Sequence, residues 1–222
     1  MPMKRLILSF VLLTFLQALV PAQDNKKPAD VSFSLFAGPH YGGIIDNKKA
    51  DAVTSATKWG GRLGLSAEFG IGRHYLEAGL DYLYFTQGLT FYEGLDGFAG
   101  TRNLYFHELR LPVMYNFHFL AKNRAYPMLT AGLGPYLGVL LSQNSTVSGS
   151  VPAYTLKNAE IGLRVNCSYY PLVVSSHFPM GIYLDFYRGF SPFYEDQYHS
   201  FFKNMTGNLS TLSLGIIVKY LK

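Results

Sequence analysis

The sequence predicts an all-β protein, an eight-stranded antiparallel up-and-down transmembrane β-barrel with a side-chain-filled interior. Three observations carry this expectation. Segments with period-two alternation of apolar and polar residues recur along the chain. The connections between them alternate long and short. One face of the segments collects charge while the other is almost free of it.

A leader precedes the strands. Lys4 and Arg5 form a basic start, residues 6–20 are an apolar run, and Val20-Pro21-Ala22 supplies modest side chains at the site a signal peptidase reads. The run is shorter than the ~18 residues a transmembrane helix needs. Residues 1–22 are therefore expected to be a signal peptide cleaved after Ala22, residues 23–30 a periplasmic tail and residues 31–222 the barrel. Gln23, not cysteine, stands directly after the cleavage point, which argues against a lipid anchor. Loss of the leader takes away Lys4 and Arg5 and leaves 200 residues with a formal charge of +3 instead of +5. That length suits one domain. The basic residues are scattered, so nothing points to nucleic acid. The single cysteine, Cys167, excludes an internal disulfide and a cysteine-based zinc site. With 17 Tyr, 17 Phe and only 15% charged residues, the composition fits a surface that is not entirely wetted.

The alternating segments follow in order. In residues 31–41, Val31, Phe33, Leu35 and Ala37 oppose Ser32, Ser34 and His40. In residues 59–71, Trp59, Leu63, Leu65, Ala67, Phe69 and Ile71 oppose Arg62, Ser66 and Glu68. Next, Leu76, Ala78, Leu80, Tyr82 and Tyr84 oppose Glu77, Gly79 and Asp81. The fourth sets Leu109, Leu111, Val113, Tyr115, Phe117 and Phe119 against Glu108, Arg110, Asn116 and His118. The fifth sets Leu129, Ala131, Leu133, Leu137 and Val139 against Thr130, Gly132, Gly134, Tyr136 and Gly138. The sixth places Ile161, Leu163, Val165 and Cys167 opposite Glu160, Arg164, Asn166 and Ser168. The seventh places Ile182, Leu184 and Phe186 opposite Tyr183, Asp185 and Tyr187. The last places Leu212, Leu214, Ile216, Val218 and Tyr220 opposite Ser213, Gly215 and Lys219.

The odd-numbered links, residues 43–58, 87–103, 142–157 and 190–208, are long. Residues 72–73 and 121–125 form short links, and residues 171–179 an intermediate one. Long loops on one side and tight turns on the other mark an outer-membrane barrel. An even strand number leaves both termini periplasmic.

Polarity assigns the faces. One face carries Arg62, Glu68, Glu77, Asp81, Glu108, Arg110, Glu160, Arg164, Asp185 and Lys219; the apolar face meets outer-membrane lipid. An eight-stranded barrel is only wide enough for side chains to fill it. The ten ionisable residues should therefore pair as one interior network, since unpaired buried charge is costly. Inward glycines, among them Gly64, Gly70, Gly79, Gly132, Gly134, Gly138, Gly162 and Gly215, should make room for long Arg and Tyr side chains. Pro112 and Pro135 fall inside strands, where β-bulges are the expected remedy.

These segments resemble the PorT-like outer-membrane β-barrel family of Bacteroidetes. ELRLPVMYNF, residues 108–117, is similar to that family's Leu-x-x-Pro strand, and AGLGPYLGVLL, residues 131–141, to its Gly-Pro-Tyr strand. LDYLYFTQGL, residues 80–89, resembles its Tyr-rich strand. YRGFSPF, residues 187–193, resembles the Tyr-x-x-Gly segment before the last loop, and LSTLSLGIIVKY the closing strand. Leu221 and Lys222 follow Tyr220, whereas such barrels often finish on an aromatic residue. The resemblance implies a non-enzymatic cell-envelope protein, with a protein-secretion machine of the outer membrane as the partner of some members.

Motifs for chemistry are sparse. His199-Ser200 is an adjacent base and nucleophile, but neighbours on an extended chain point apart. The other histidines show no metal-ligand spacing, GLGPYLG lacks the spacing of a dinucleotide loop, and no cofactor is expected. Three functional classes remain open: a barrel that binds a partner, a lipid-modifying enzyme, and a narrow solute channel. For the first, the candidate binding residues are the loop aromatics Phe91, Tyr92, Phe98, Phe193, Tyr194, Tyr198, Phe201 and Phe202. Exposed aromatics serve equally to extend the wall beyond the membrane.

Overall fold

The computed structural model describes residues 30–46, 53–95, 98–120, 127–151, 155–156, 158–175, 177–190, 194–195 and 207–221. The expected signal peptide lies outside them, as does the tail apart from Asp30, which opens the first strand. The strands are β1 (Asp30–Asp46), β2 (Val53–Ile71), β3 (His74–Leu95), β4 (Phe98–Leu120), β5 (Pro127–Ser150), β6 (Thr155–Leu156), β7 (Ala159–Ser175), β8 (Phe178–Gly189), β9 (Tyr194–Glu195) and β10 (Gly207–Leu221). Eight of them close an antiparallel barrel in the order β1-β10-β8-β7-β5-β4-β3-β2, and β6 pairs with β9 in a separate two-stranded sheet. The predicted architecture is the one observed.

Alternation dictates this closure. A strand with one charged and one apolar face must turn the charged face inward if lipid lies outside, and any slip by one residue would reverse every side chain. Glu68 pairs across from Glu77, Asp81 from Arg110 and Asn166 from Asp185, so inward positions meet inward positions round the ring. Gly72, at φ 68°, makes the tight β2–β3 turn that a residue with a Cβ adopts only under strain.

Differences from expectation concern strand length, beginning with the link expected at 43–58, which narrows because β1 runs to Asp46 and β2 starts at Val53. The segment 87–103 is not a loop: β3 and β4 stay paired from His74↔Phe117 up to Leu95↔Phe98. β5 likewise reaches Ser150, still paired to Ala99 of β4. A tilted strand crosses the hydrocarbon with about 9–11 residues, so the 22, 23 and 24 residues of β3, β4 and β5 raise a wall well beyond the membrane. The link at 171–179 also shortens, because β7 and β8 stay paired to Ser175↔Phe178.

The prolines do not sit at bulges. Around Pro112 the β3–β4 register is the same before and after it, at Ala78↔Val113 and Asp81↔Arg110. Around Pro135 the β4–β5 register is likewise unbroken between Pro112↔Tyr136 and Tyr115↔Leu133. Pairs are simply missing on the side where the proline has no N–H to donate, and the irregularities of β4–β5 lie at His107/Glu108 and Phe119/Leu120 instead.

Candidate functional site

The interior is built in layers. At the end that carries the short turns, Glu68 accepts hydrogen bonds from Lys219, from Asn116 Nδ2 at 2.8 Å and from Ser32 Oγ at 3.1 Å, with His118 Nε2 3.3 Å away. The His118 ring stacks on Tyr75 at 3.9 Å, and Tyr75 donates to Asp30 at 3.2 Å. Above it, Arg62 donates to Asp81 at 2.7 Å, to Tyr187 at 2.9 Å and to Asp185. Arg164 joins Asp185 at 3.0 Å to Glu77 at 3.2 Å, and Asn116 donates to Glu77 at 2.5 Å, linking this layer to the one below. The Arg62 guanidinium lies over the Phe36 and Tyr183 rings at 4.5 and 5.1 Å. A third layer centres on Arg110, which donates to both oxygens of Glu108 at 3.0 and 2.9 Å and to Thr211 at 3.0 Å. Glu160 stands 3.7 Å from Arg110 and accepts from Tyr136 at 2.5 Å.

All ten residues predicted for the interior are thus buried and brought together. Six are acids and four are bases, so no charge is isolated although negative charge is in excess. Burial is tolerable here because each guanidinium meets carboxylates in hydrogen-bonding geometry. The glycine expectation holds for tyrosine and not for arginine. The rings of Tyr75, Tyr136 and Tyr183 lie over Gly70, Gly162 and Gly215, while acids, amides and Phe36, and no arginine side chain, take the room over Gly64, Gly132 and Gly138. A Cβ on Gly64 would meet Phe36 and Asp81, on Gly132 Asn116 and Asn166, and on Gly138 Glu108 and Glu160. A small polar space among Glu68, Glu77, Arg164, Asn166 and Tyr183 has room for about one water.

Above the charged layers the interior turns apolar, which the sequence reading missed. Leu83, Phe85, Leu89, Phe91, Leu104, Phe106 and Leu209 are buried, with the Phe85 and Phe106 rings stacked at 4.7 Å. Phe91, expected at a loop surface, is 3% exposed inside this cap and offers nothing to a partner. Tyr92, its neighbour in β3, is exposed. Phe98 and Tyr194 belong to β4 and β9, but their side chains lie outside the described residues, as do Phe193, Tyr198, Phe201 and Phe202 altogether. So does the His199-Ser200 pair. A second serine–histidine pair emerges from the fold: His40 and Ser213 share a 2.8 Å hydrogen bond. Both are fully buried beneath the cap, the His40 ring lies 5.8 Å from Phe85, and no carboxylate bonds to the imidazole among the described residues. Among the described residues no group of three or more His, Cys, Asp or Glu is placed to hold a metal.

The outer face completes the picture. Leu35, Leu63, Leu65, Leu133, Ile161, Val165, Ile182, Leu214 and Ile216 are exposed, far more apolar surface than water tolerates on a monomer. Aromatic residues border this belt. Tyr41 and Trp59 pack at 5.2 Å on the loop side, where Tyr82 and His107 share a 2.6 Å hydrogen bond. His74 and Tyr115 share one of 2.5 Å on the turn side, near Phe117 and Phe119. From Phe33, which pairs with Tyr220, to Tyr41 is eight residue steps along β1. At the usual rise and tilt that spans roughly 20 Å, close to the apolar band of an outer-membrane barrel.

Among solved structures the fold is similar to OprG of Pseudomonas aeruginosa, with a TM-score of 0.51 and 11% identity over 89% of this chain and 99% of that one. Neisserial surface protein A matches with a TM-score of 0.39 and 16% identity over 85% of this chain and 97% of its own. Ail of Yersinia pestis, solved in complex with the heparin analogue sucrose octasulfate, matches at 0.39 and 13% over 87% of this chain and 100% of its own. No sequence-family profile matches the chain, and no curated protein matches it in sequence. The fold is that of the eight-stranded outer-membrane barrels.

Proposed function

We propose that this chain is a non-enzymatic integral protein of the bacterial outer membrane, a PorT-like barrel that serves as a binding or assembly component of an envelope complex such as a protein-secretion system. In this reading the signal peptide leaves after Ala22, both termini lie in the periplasm, outer-membrane lipid surrounds the belt, and the partner is an envelope protein. One observation carries it: side chains fill the barrel from Glu68 to Phe106, while β3, β4 and β5 run on past the membrane as an exposed wall. A filled interior supports neither solute passage nor substrate entry. A wall of extra strand is built surface, and surface is what a partner uses.

The test is in cells, with a photo-crosslinking residue replacing Tyr92 on the wall or Leu65 in the belt. The expected result is a protein found in outer membranes, with a boiling-dependent gel shift, one discrete protein adduct from position 92 and lipid alone from position 65. A chain soluble in the periplasm, a steady ion conductance in planar bilayers, or a change in lipid A mass on its deletion with no adduct would overturn the proposal.

A further inference from the structure

Among the described residues, β5 ends as an unpaired edge. Its β7 side is paired from Leu129↔Tyr169 to Val139↔Ala159, and Leu140 N then donates to Asn158 O at 2.8 Å. Above that point β5 continues for ten more residues, Leu141 to Ser150, paired only to β4 from His107↔Ser142 to Ala99↔Ser150. No backbone partner stands on the other side among the described residues, and every side chain of this stretch is exposed. β6 and β9 pair with each other in a separate sheet and not with β5.

Natural sheets blunt such edges with lysine, proline, inward charge or early bulges. The stretch LSQNSTVSGS contains no lysine, proline or charged residue, and its irregularities lie at its two ends, a register shift beside Leu141 at the base and Gly149, at φ 84°, at the tip. An edge of alternating N–H and C=O groups is complementary to one thing, another extended backbone. We propose that residues 141–148 of β5 are a strand-addition site for an extended, uncharged polar segment of a partner protein. This deepens the partner-binding reading above and rests on it.

Two features select that occupant. Both faces of the edge carry hydroxyl and amide groups, with Gln143, Ser145 and Val147 on one and Ser142, Asn144, Thr146 and Ser148 on the other. They offer a partner's side chains no counter-charge and no apolar slot beyond Val147, so main-chain bonds dominate and Ser/Thr/Asn-rich sequences suit it best. A second copy in the same membrane does not fit. Barrel strands tilt about 35–45°, so two copies related by an axis along the membrane normal would present their edges crossed at roughly twice that angle and touching at one point. A flexible segment entering from the aqueous side has no such constraint.

The test is disulfide trapping on the full chain folded in detergent, in a Cys167→Ser background. Single cysteines at Ser142, Asn144, Thr146 and Ser148 are each paired with ten-residue Ser/Thr/Asn peptides carrying one cysteine at successive positions. Strand addition fixes the register, so the strong pairs should fall on one diagonal of the position-by-position grid. Their yield should be at least ten-fold above that of a Tyr92→Cys control, and should drop ten-fold for peptides with proline at alternate positions. Yields without register, or unaffected by proline, would overturn the site. If the Tyr92 crosslink in cells appears while the grid stays empty, the edge inference falls and partner binding stands. If both are empty, both fall.

Discussion

Arg110 faces two carboxylates with one charge, bonding to both oxygens of Glu108 and lying 3.7 Å from Glu160. Replacement by leucine leaves two acids in a closed interior, which should cost about 3–5 kcal/mol. Adding Glu108→Gln and Glu160→Gln should recover more than half of that, because the acids and not the lost hydrogen bonds then carry the penalty. Urea unfolding of the micelle-folded protein, followed by the fluorescence of Trp59, the only tryptophan, measures both. A single variant with a wild-type midpoint would refute the network's role. Most residues of this network were readable in advance, since parity alone assigns Arg62, Glu77, Asp185 and the neighbouring Tyr183 and Tyr187 to one face. Their pairings were not. Arg62 reaches Asp185 on a strand 123 positions away, and only closure of the ring brings them together.

At the scale of the strand, β1 and β5 share a device. Gly38-Pro39 and Gly134-Pro135 each lack the local ladder pairs on one side, and the neighbouring strand closes in on the glycine. A Cβ on Gly38 would collide with the carbonyl oxygen of Leu214, and on Gly134 with that of Val113. Gly61 has nothing within 4 Å of the same position. Gly38→Ala and Gly134→Ala should therefore lose about 1–3 kcal/mol each by overpacking, while Gly61→Ala stays within about 0.5 kcal/mol. Equal effects at all three would sink this account. The sequence marked where strands begin on the turn side but not where they stop on the loop side. In LYFTQGLTF the alternation persists but changes face, with Leu83, Phe85, Leu89 and Phe91 turned inward and Tyr84, Thr86 and Thr90 outward. A reading that follows one apolar outer face therefore ends the strand there, and the wall reads as a loop. The proline misreading has a similar origin. Bulges are one way to lose a ladder bond, and a glycine that lets backbones approach without pairing is another that residue type alone does not reveal.

The whole molecule sorts its surfaces by polarity: an apolar belt outside, charge within, an apolar cap above, and a polar β5 edge beyond. Cys167 and Val147 sample two of these, both exposed, one across from Leu184 and Ala131 and the other on the upper β5 edge. With a nitroxide at Cys167, collisions in bilayer vesicles should favour oxygen over a water-soluble nickel complex. With the label at Val147→Cys in a Cys167→Ser background, the order should reverse. The same order at both positions would contradict the membrane placement.

Closure has one more consequence. β1 and β10 pair from Ser32↔Leu221 to Asp46↔Gly207, and Leu221 N donates to His177 O at 2.9 Å across the adjoining turn. The ladder joining the first and last strands is thus continuous with its neighbours, so hydrogen bonding round the ring carries no memory of where the polypeptide was opened. Gly72-Arg73 is as good a place to cut the loop of string as the gap between Leu221 and Ser32. Strand order along the chain records the order in which the staves arrive, and the finished cask is indifferent to it.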